Sequence, residues 1–399
     1  MKKCFSCLLP ETHETIEFDN SGVCNICNQH KVKNEKIDWS EKKKELDCLI
    51  EDYRGKYDYD CIIPFSGGKD STWTLHYLIK EYKLNPLVVR FDHGFMRPNL
   101  EENIKNLSRK LGFDMITFTP NWKIVQKLML RSFLDKGDFC WHCHTGIFSY
   151  PMWVALEKKI PLIFWGEKSS EYTNYFGYED NEEVDEKRFD RFINLGITSE
   201  DMYLRLNEII DLKKLKPFTY PPKAELSKLK LRSVCLGSYI KWDVKKQSEI
   251  IMNELDWKGD EVENVPKEYN YEKIECYMQG VRDYIKYLKR GYSRPSHLMA
   301  LDLRNKRISK EKAEETIELY EGKKPRSLEI FLNFIGLTEK EFYTVAKSHL
   351  ISPNKINISK SNAKATHDFD LWNKNGSADR EASKKMFNEW EDEQKTFNK

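Results

Sequence analysis

The sequence predicts an α/β protein built on a doubly wound parallel sheet, with a zinc-ribbon-like module ahead of it and a helical region behind. Three observations carry this expectation. Short apolar runs alternate with helical patterns between residues 60 and 166, a Ser-Gly-Gly-Lys-Asp-Ser turn joins the first run to the first helix, and two Cys-x-x-Cys pairs precede both. Strands that alternate with helices form parallel sheets covered on both faces, and their ligands bind outside the strand carboxyl ends.

Length and composition bound the reading. At 399 residues the chain has room for two or three domains. Its 66 Lys+Arg are balanced by 64 Asp+Glu, which argues against nucleic acid as a partner. No apolar run approaches the roughly 18 residues of a membrane span. The stretch after Met1-Lys2-Lys3 turns polar too soon for a signal-peptide core. A cytoplasmic protein with no membrane partner is expected. Of the ten cysteines, six fall in Cys-x-x-Cys pairs, which favours metal binding over a disulfide framework.

The elements follow in chain order. Cys4-x-x-Cys7 and Cys24-x-x-Cys27 have the spacing of a structural zinc site. Thr15 to Phe18 reads as a strand and Asp19 to Gly22 as a turn that would bring the two knuckles onto one tetrahedral Zn²⁺. Residues 38–53 form an amphipathic connector helix, with Asp38 and Glu41 placed for a capping box. Strands at 60–65, 86–91, 114–118 and 161–166 alternate with helices at 70–82, 99–111, 122–135 and 146–158. Leu236 to Asp243 reads as a strand and turn, with Asp243 capping a helix that runs to Leu255. A helix over 273–292 closes at a glycine, and helical patterns follow at 309–321, 326–335 and 338–349. Residues 352–376 have the composition of a loose linker before a charged terminal helix.

The chemistry concentrates in Cys61-Ile62-Ile63-Pro64-Phe65-Ser66-Gly67-Gly68-Lys69-Asp70-Ser71-Thr72. At a helix start the first backbone N–H groups lack partners and the macrodipole is positive, so an anion is stabilised there. Gly67 and Gly68 remove the Cβ atoms that would hold phosphate oxygens away. Ser66, Ser71 and Thr72 offer hydroxyls and Lys69 a point charge. The common G-x-x-x-x-G-K-[ST] loop would need Gly at 63 and a hydroxyl at 70, where this chain has Ile63 and Asp70. The second strand ends in Arg90-Phe91-Asp92-His93-Gly94 and the fourth in Trp165-Gly166-Glu167-Lys168-Ser169. Both ends should share one cleft with the loop. A third pair, Cys140-Trp141-His142-Cys143-His144, lies in a loop and is open to several readings. It is a second metal site, a redox pair, an iron–sulfur cluster completed by Cys235 (the reading least favoured), or two reduced buried thiols.

The Ser66-Gly67-Gly68-Lys69-Asp70-Ser71 loop resembles that of the ATP pyrophosphatase (PP-loop) superfamily, which implies that β,γ-pyrophosphate is held while an acceptor oxygen attacks the α-phosphorus. The resemblance implies a PP-loop sheet in which Phe91, Asp92 and Gly166 flank the nucleotide, with Asp70 and Glu167 as candidates for Mg²⁺ or, for Glu167, the acceptor. Residues 1 to about 350 resemble N-acetyl sugar amidotransferases of the WbpG/PseA type. Besides the cysteine pairs and the loop, Leu236-Gly237-Ser238-Tyr239 with Trp242-Asp243, Gln279 to Tyr284, Lys289-Arg290-Gly291-Tyr292 and Asp302 with Arg304-Asn305 carry this likeness. Cys235 stands where that family has an aromatic, which counts against a cluster completed there.

The implied organisation is a zinc-ribbon-like module over 1–36, a PP-loop ATP-binding domain over 37–245, a helical substrate or partner region over 246–350, and a linker with a terminal helix over 351–399. The implied reaction uses ATP, Mg²⁺ and ammonia to turn an acetamido group into an acetamidino group, with Lys69, Asp70 and Glu167 at the chemistry. The setting would be O-antigen, pseudaminic acid or another nonulosonic acid. Arg294, His297 and Arg304 are candidates for the anionic part of an N-acetylated nucleotide sugar or sugar acid, because Arg suits bidentate recognition. Lys2 follows Met1 where an N-terminal-nucleophile glutaminase needs cysteine. The expected ammonia source is a separate glutaminase subunit (HisH-like) with a cyclase-like (HisF-like) companion. The rival readings are a tRNA-thiolating PP-loop enzyme and an ATP-binding zinc regulatory protein.

Overall fold

A computed structural model describes residues 1–173, 175–206, 210–358, 361–364 and 378–397. Five parallel strands, β1 (Cys61–Pro64), β2 (Pro86–Phe91), β3 (Asp114–Phe118), β4 (Leu162–Trp165) and β5 (Arg232–Cys235), form one sheet in the order β3-β2-β1-β4-β5. Cys61 pairs with Pro86, Leu87 with Asp114, Ile62 with Ile163 and Leu162 with Arg232.

The inner strands are apolar apart from Arg90, which pairs with Glu101, because both faces are covered. Alternate side chains feed two different cores. Ile63, Val88, Phe164 and Val234 join one with the helices Trp39–Tyr53, Lys69–Tyr82, Pro98–Leu111 and Val244–Leu255. Ile62, Leu87, Val89, Ile163 and Cys235 join the other with the helix Trp141–Lys158. From β1 the chain winds one way to β2 and β3, then crosses to β4 and β5 on the other side. The switch point between β1 and β4 therefore sits where the Ser66–Gly68 turn and the Trp165–Glu167 turn leave the sheet. Such a crevice is where open α/β sheets take their ligands. A third core joins the helix Trp122–Lys136 to C-terminal helices through Phe133, Tyr284, Phe331, Phe342 and Trp390.

Most local expectations hold to within a residue or two. Asp38 accepts from the N–H groups of Ser40 and Glu41, and Asp243 caps Val244–Leu255 by accepting from Lys246. Five assignments need correction. Thr15 to Phe18 is no strand, since only Phe18 pairs there, in a single bridge to Cys24. The fifth strand is Arg232–Cys235 rather than the stretch from Leu236; with two apolar residues in four it is too short to declare itself. The Cys140–His144 stretch is no loop, because a helix starts at Trp141, pinned by the buried indole N–H donating to the Ile197 carbonyl at 2.8 Å. Residues 273–278 are not helical. Lys273 has φ +52°, and the Tyr277 N–H is drawn to the Phe95 carbonyl at 2.9 Å, so the helix begins at Gln279. Arg294–Arg304, read only as mixed polar and apolar, is a helix with Pro295 in its first turn. Of the expected linker, residues 359–360 and 365–376 lie outside the described residues.

Candidate active site

The loop after β1 is rigid by construction. Gly67 adopts φ +79°, and a Cβ there would come within 2.7 Å of Ile104. The Ser66 hydroxyl accepts from the Gly68 N–H at 3.2 Å, the Ser66 N–H donates to the Ser71 hydroxyl at 3.2 Å, and the Trp257 indole N–H donates to the Gly67 carbonyl at 2.9 Å. Thr72 turns its hydroxyl inward onto that same carbonyl at 3.3 Å. Its expected ligand hydroxyl is therefore used inside the loop.

Lys69 is 2% exposed. Its Nζ meets Asp70 at 2.8 Å and Glu272 at 3.0 Å. Burial opposes the charge, but the two carboxylates outweigh it and hold the ammonium well above its usual pKa. Burial would raise Glu272 as well, yet Lys69, Arg294 and Lys273 bring it down to about 2. The second oxygen of Asp70 is buried without a hydrogen-bond partner. Glu167 is pushed up to about 7, first by burial and then by the charge of Asp70.

A cavity of roughly 310 Å³ opens at the switch point. Ser66, Asp70, Ser71, Gly166 and Glu167 form its polar end, while Val89, Phe91, Ile147 and Phe148 form an apolar wall. Cys140 and Cys143 lie on its lining too, with Cys276. A second cavity of roughly 560 Å³ adjoins it, and Phe139, His144, Glu167, Lys273 and Arg282 line both. Seven Lys or Arg side chains face this second space against four carboxylates. Arg294 and His297 are among its lining residues. Arg294 is committed to Glu272 at 3.3 Å and Asp283 at 3.4 Å. His297 Nε2 accepts from Lys286 at 2.9 Å, and burial followed by the Lys286 charge keeps its imidazole neutral.

Residues 263–375 match the family described as "LPS biosynthesis protein WbpG-like, C-terminal domain". The C-terminal region is a WbpG-like domain. The chain is also 30% identical over 124 residues to the uncharacterized protein MJ1599 of Methanocaldococcus jannaschii, a match covering 30% of this chain and 43% of that protein. The chain thus spans less than half the length of that relative. The WbpG-like domain contributes Glu272 to the loop lysine and Lys273, Glu275, Cys276 and Arg282 to the first cavity. It also supplies Lys286, Arg290 and Arg294 to the second. Arg294 is a sequence candidate, and Arg282 and Arg290 lie in stretches that carry the family resemblance, whereas Glu272, Lys273, Glu275, Cys276 and Lys286 carry no local motif that points to a site; for these, proximity in the fold is the signal.

Two candidates stand elsewhere. Asp92 caps its own turn, accepting from the Gly94 N–H at 2.8 Å and the Thr119 hydroxyl at 3.1 Å, and it is absent from the cavity lining. Arg304 donates to the Glu171 carbonyl at 3.5 Å. Burial opposes its charge, and the nearby Cys7 and Cys27 sulfurs restore it. The expected substrate role of Arg304 is therefore replaced by a place against the cysteine module.

The Sγ atoms of Cys4, Cys7, Cys24 and Cys27 all lie within 4.8 Å of one another, with Cys7 to Cys24 at 3.6 Å and Cys4 to Cys27 at 3.9 Å. Tetrahedral thiolate ligation of zinc needs sulfurs about 3.8 Å apart, so this buried cluster fits a structural ion. Among the described residues it is the one such group. Cys140 and Cys143 thus find no third ligand, and Cys235 accepts from Arg188 in another core. This placement counts against an iron–sulfur cluster completed by Cys235. Burial pushes the Cys140 and Cys143 thiols up, the condition of inert rather than reactive cysteines.

Proposed function

We propose that this chain is an AMP-forming, ATP-dependent amidotransferase of the PP-loop type, acting on an N-acetylated sugar in lipopolysaccharide or related surface-glycan biosynthesis. One observation carries the reading: the strand, Ser66–Ser71 turn and helix open at the switch point of a parallel sheet onto a cavity whose far wall is the WbpG-like domain. The glycan setting is taken from that family's description, and the AMP-forming chemistry from the form of the loop.

ATP with Mg²⁺ suits the residues present. The unpartnered Asp70 oxygen and the Glu167 carboxyl repel each other in the same cavity, and two such acids relax when a divalent cation lies between them. Bound there, Mg²⁺ would neutralise phosphate charge. Ser66 and Ser71 bind phosphate oxygens at the helix start, Lys69 opposes charge on the departing pyrophosphate, and Phe91 packs beside the base. The acetamido oxygen attacks the α-phosphorus as the bond to pyrophosphate breaks, and loss of the amide N–H proton gives an O-adenylyl imidate. Ammonia then adds to the imidate carbon, the carbon–oxygen bond breaks with loss of a proton, and AMP departs from an acetamidino product. Positioning and fixed charge supply most of the acceleration. A HisH-like glutaminase with a HisF-like companion is the proposed ammonia source, and the four cysteines are the proposed zinc site.

The deciding assay incubates the protein with ATP, Mg²⁺ and ammonium together with an N-acetylated nucleotide sugar, a nonulosonic acid or tRNA. AMP and product mass are followed. An acetamidino product with AMP is expected from a sugar; AMP release with every sugar mass unchanged would refute the reading. Cys140, Cys143 and Cys276 on the cavity lining favour a second reading, tRNA thiolation, which thiolated tRNA in the third arm, run with a sulfide donor added, would establish.

A further inference from the structure

Two cations, Lys273 and Arg282, occupy the seam between the cavities, held there by looser charge contacts than their neighbours. Lys273 makes no salt bridge or side-chain hydrogen bond among the described residues, although it lines both spaces. Arg282 also lines both, and its ion-pair partner Asp138 stands at 3.8 Å. The neighbouring cations are engaged. Lys69 is held by Asp70 and Glu272, Lys286 meets Glu14 at 3.1 Å, Arg290 meets Glu14 at 3.4 Å, and Lys289 donates to the carbonyls of Lys136 and Gly137.

Lys273 also sits in the left-handed region at φ +52°. A non-glycine residue there costs on the order of 1 kcal/mol and persists where its surroundings impose it. Here the imposing contacts are those of its neighbours. Glu272 is drawn to Lys69 and Arg294, and Glu275 packs over Gly68, where a Cβ would overlap it. The backbone beside these contacts places Lys273 on the lining of both cavities.

The first cavity has a phosphate-binding end at Ser66, Asp70 and Ser71 and an apolar wall at Val89, Phe91 and Phe148. A nucleotide with its terminal phosphates at the helix start and its base on that wall carries its α-phosphate between them, at the seam toward the acceptor space. We propose that Lys273 and Arg282 form an α-phosphoryl subsite, binding the phosphorus at which the acceptor oxygen attacks. This assignment rests on the AMP-forming reading above. It makes the two residues catalytic, because charge accumulates on the α-phosphoryl oxygens as the new bond forms and pyrophosphate leaves.

Calorimetric titration with ATP, AMP, adenosine and pyrophosphate tests it on the full chain. The wild type is expected to bind AMP at least about tenfold tighter than adenosine, the effect of charge-assisted bonds to one phosphate. Lys273→Met and Arg282→Gln should each reduce that ratio severalfold while leaving adenosine and pyrophosphate affinity within about twofold, which also certifies their folding. Lys273→Arg should restore most of it. An AMP-to-adenosine ratio unchanged in both variants overturns the subsite while leaving the AMP-forming reading intact. A wild type that binds neither ATP nor AMP overturns both. Should Lys273→Met fail to hold adenosine, Arg282→Gln with Lys273→Arg decides by the same ratio.

Discussion

Replacing Glu167 by glutamine should stabilise the protein above neutral pH while abolishing its turnover. Burial and then the Asp70 charge raise the Glu167 carboxyl from the usual 4.5 to about 7. Between those values the folded chain binds more protons than the unfolded chain, so stability falls as pH rises through this window, and the loss is complete above pH 7. Each pH unit of the window is worth about 1.4 kcal/mol, so the whole amounts to about 3 kcal/mol. Glutamine cannot ionise and escapes this loss. Urea unfolding followed by tryptophan fluorescence should find Glu167→Gln and wild type nearly equal at pH 4.5. The variant should gain progressively to about 3 kcal/mol at pH 8. A difference that stays flat across this range would refute the reasoning, because it would mean that Glu167 ionises as an ordinary glutamate. The accompanying loss of activity would be the usual exchange of stability for function at a site built from mutually repelling acids.

Three further outcomes are expected. Lys69→Met leaves Glu272 and Asp70 buried with one partner fewer and should cost about 3 kcal/mol of stability together with about 10²–10³-fold in AMP formation, read by denaturation and by steady-state assay; unchanged stability would contradict the buried ion pairs. Gly67→Ala meets both the left-handed backbone and the Ile104 and Leu100 side chains, so a loss of about 2–4 kcal/mol with weakened pyrophosphate binding is expected. Its neighbour Gly68, with an ordinary φ of −72°, should tolerate alanine better because the opposing Glu275 side chain can move. Cys24→Ser should abolish stoichiometric metal measured by emission spectrometry and open the first 36 residues to proteolysis, since a module this small depends on its ion; full metal content in the variant would place the ion elsewhere.

Much of the fold was legible because its signals are local. The strand at Cys61–Pro64, the helix from Lys69 and the cap at Asp243 each depend on neighbours within a few residues. The cysteine pairs announce their cluster through spacing alone. Legibility failed where a distant contact overrides local preference. The helix pattern after Lys273 yields to ties from Glu272 to Lys69 and from Tyr277 to Phe95. Trp141 starts a helix early because its ring is buried against a carbonyl 56 residues away. Arg304 has the chemistry of an anion binder, and only its position beside the thiols reassigns it.

The N-terminal module illustrates the same division. Sequence spacing predicts a tetrahedral thiolate site, and the folded chain brings the four sulfurs to it. Nothing in the spacing foretells that Glu14, lying between the two pairs, reaches the second cavity, where it accepts from the Tyr292 hydroxyl at 2.6 Å and meets Lys286 and Arg290.

By itself the sequence determined the local form of the proposed phosphate-binding turn, because that form is a property of one short stretch: two glycines, flanking hydroxyls and a lysine at a helix start. Only the tertiary structure decided which groups stand around that turn and the adjoining cavity. Glu272, Lys273 and Arg282 stand about 200 positions downstream, and Glu14 about 50 upstream. Electrostatic coupling depends on distance in space rather than along the chain. The raised pKa of Lys69 and the raised carboxyl of Glu167 therefore exist only once the sheet and the WbpG-like domain have closed around one cleft.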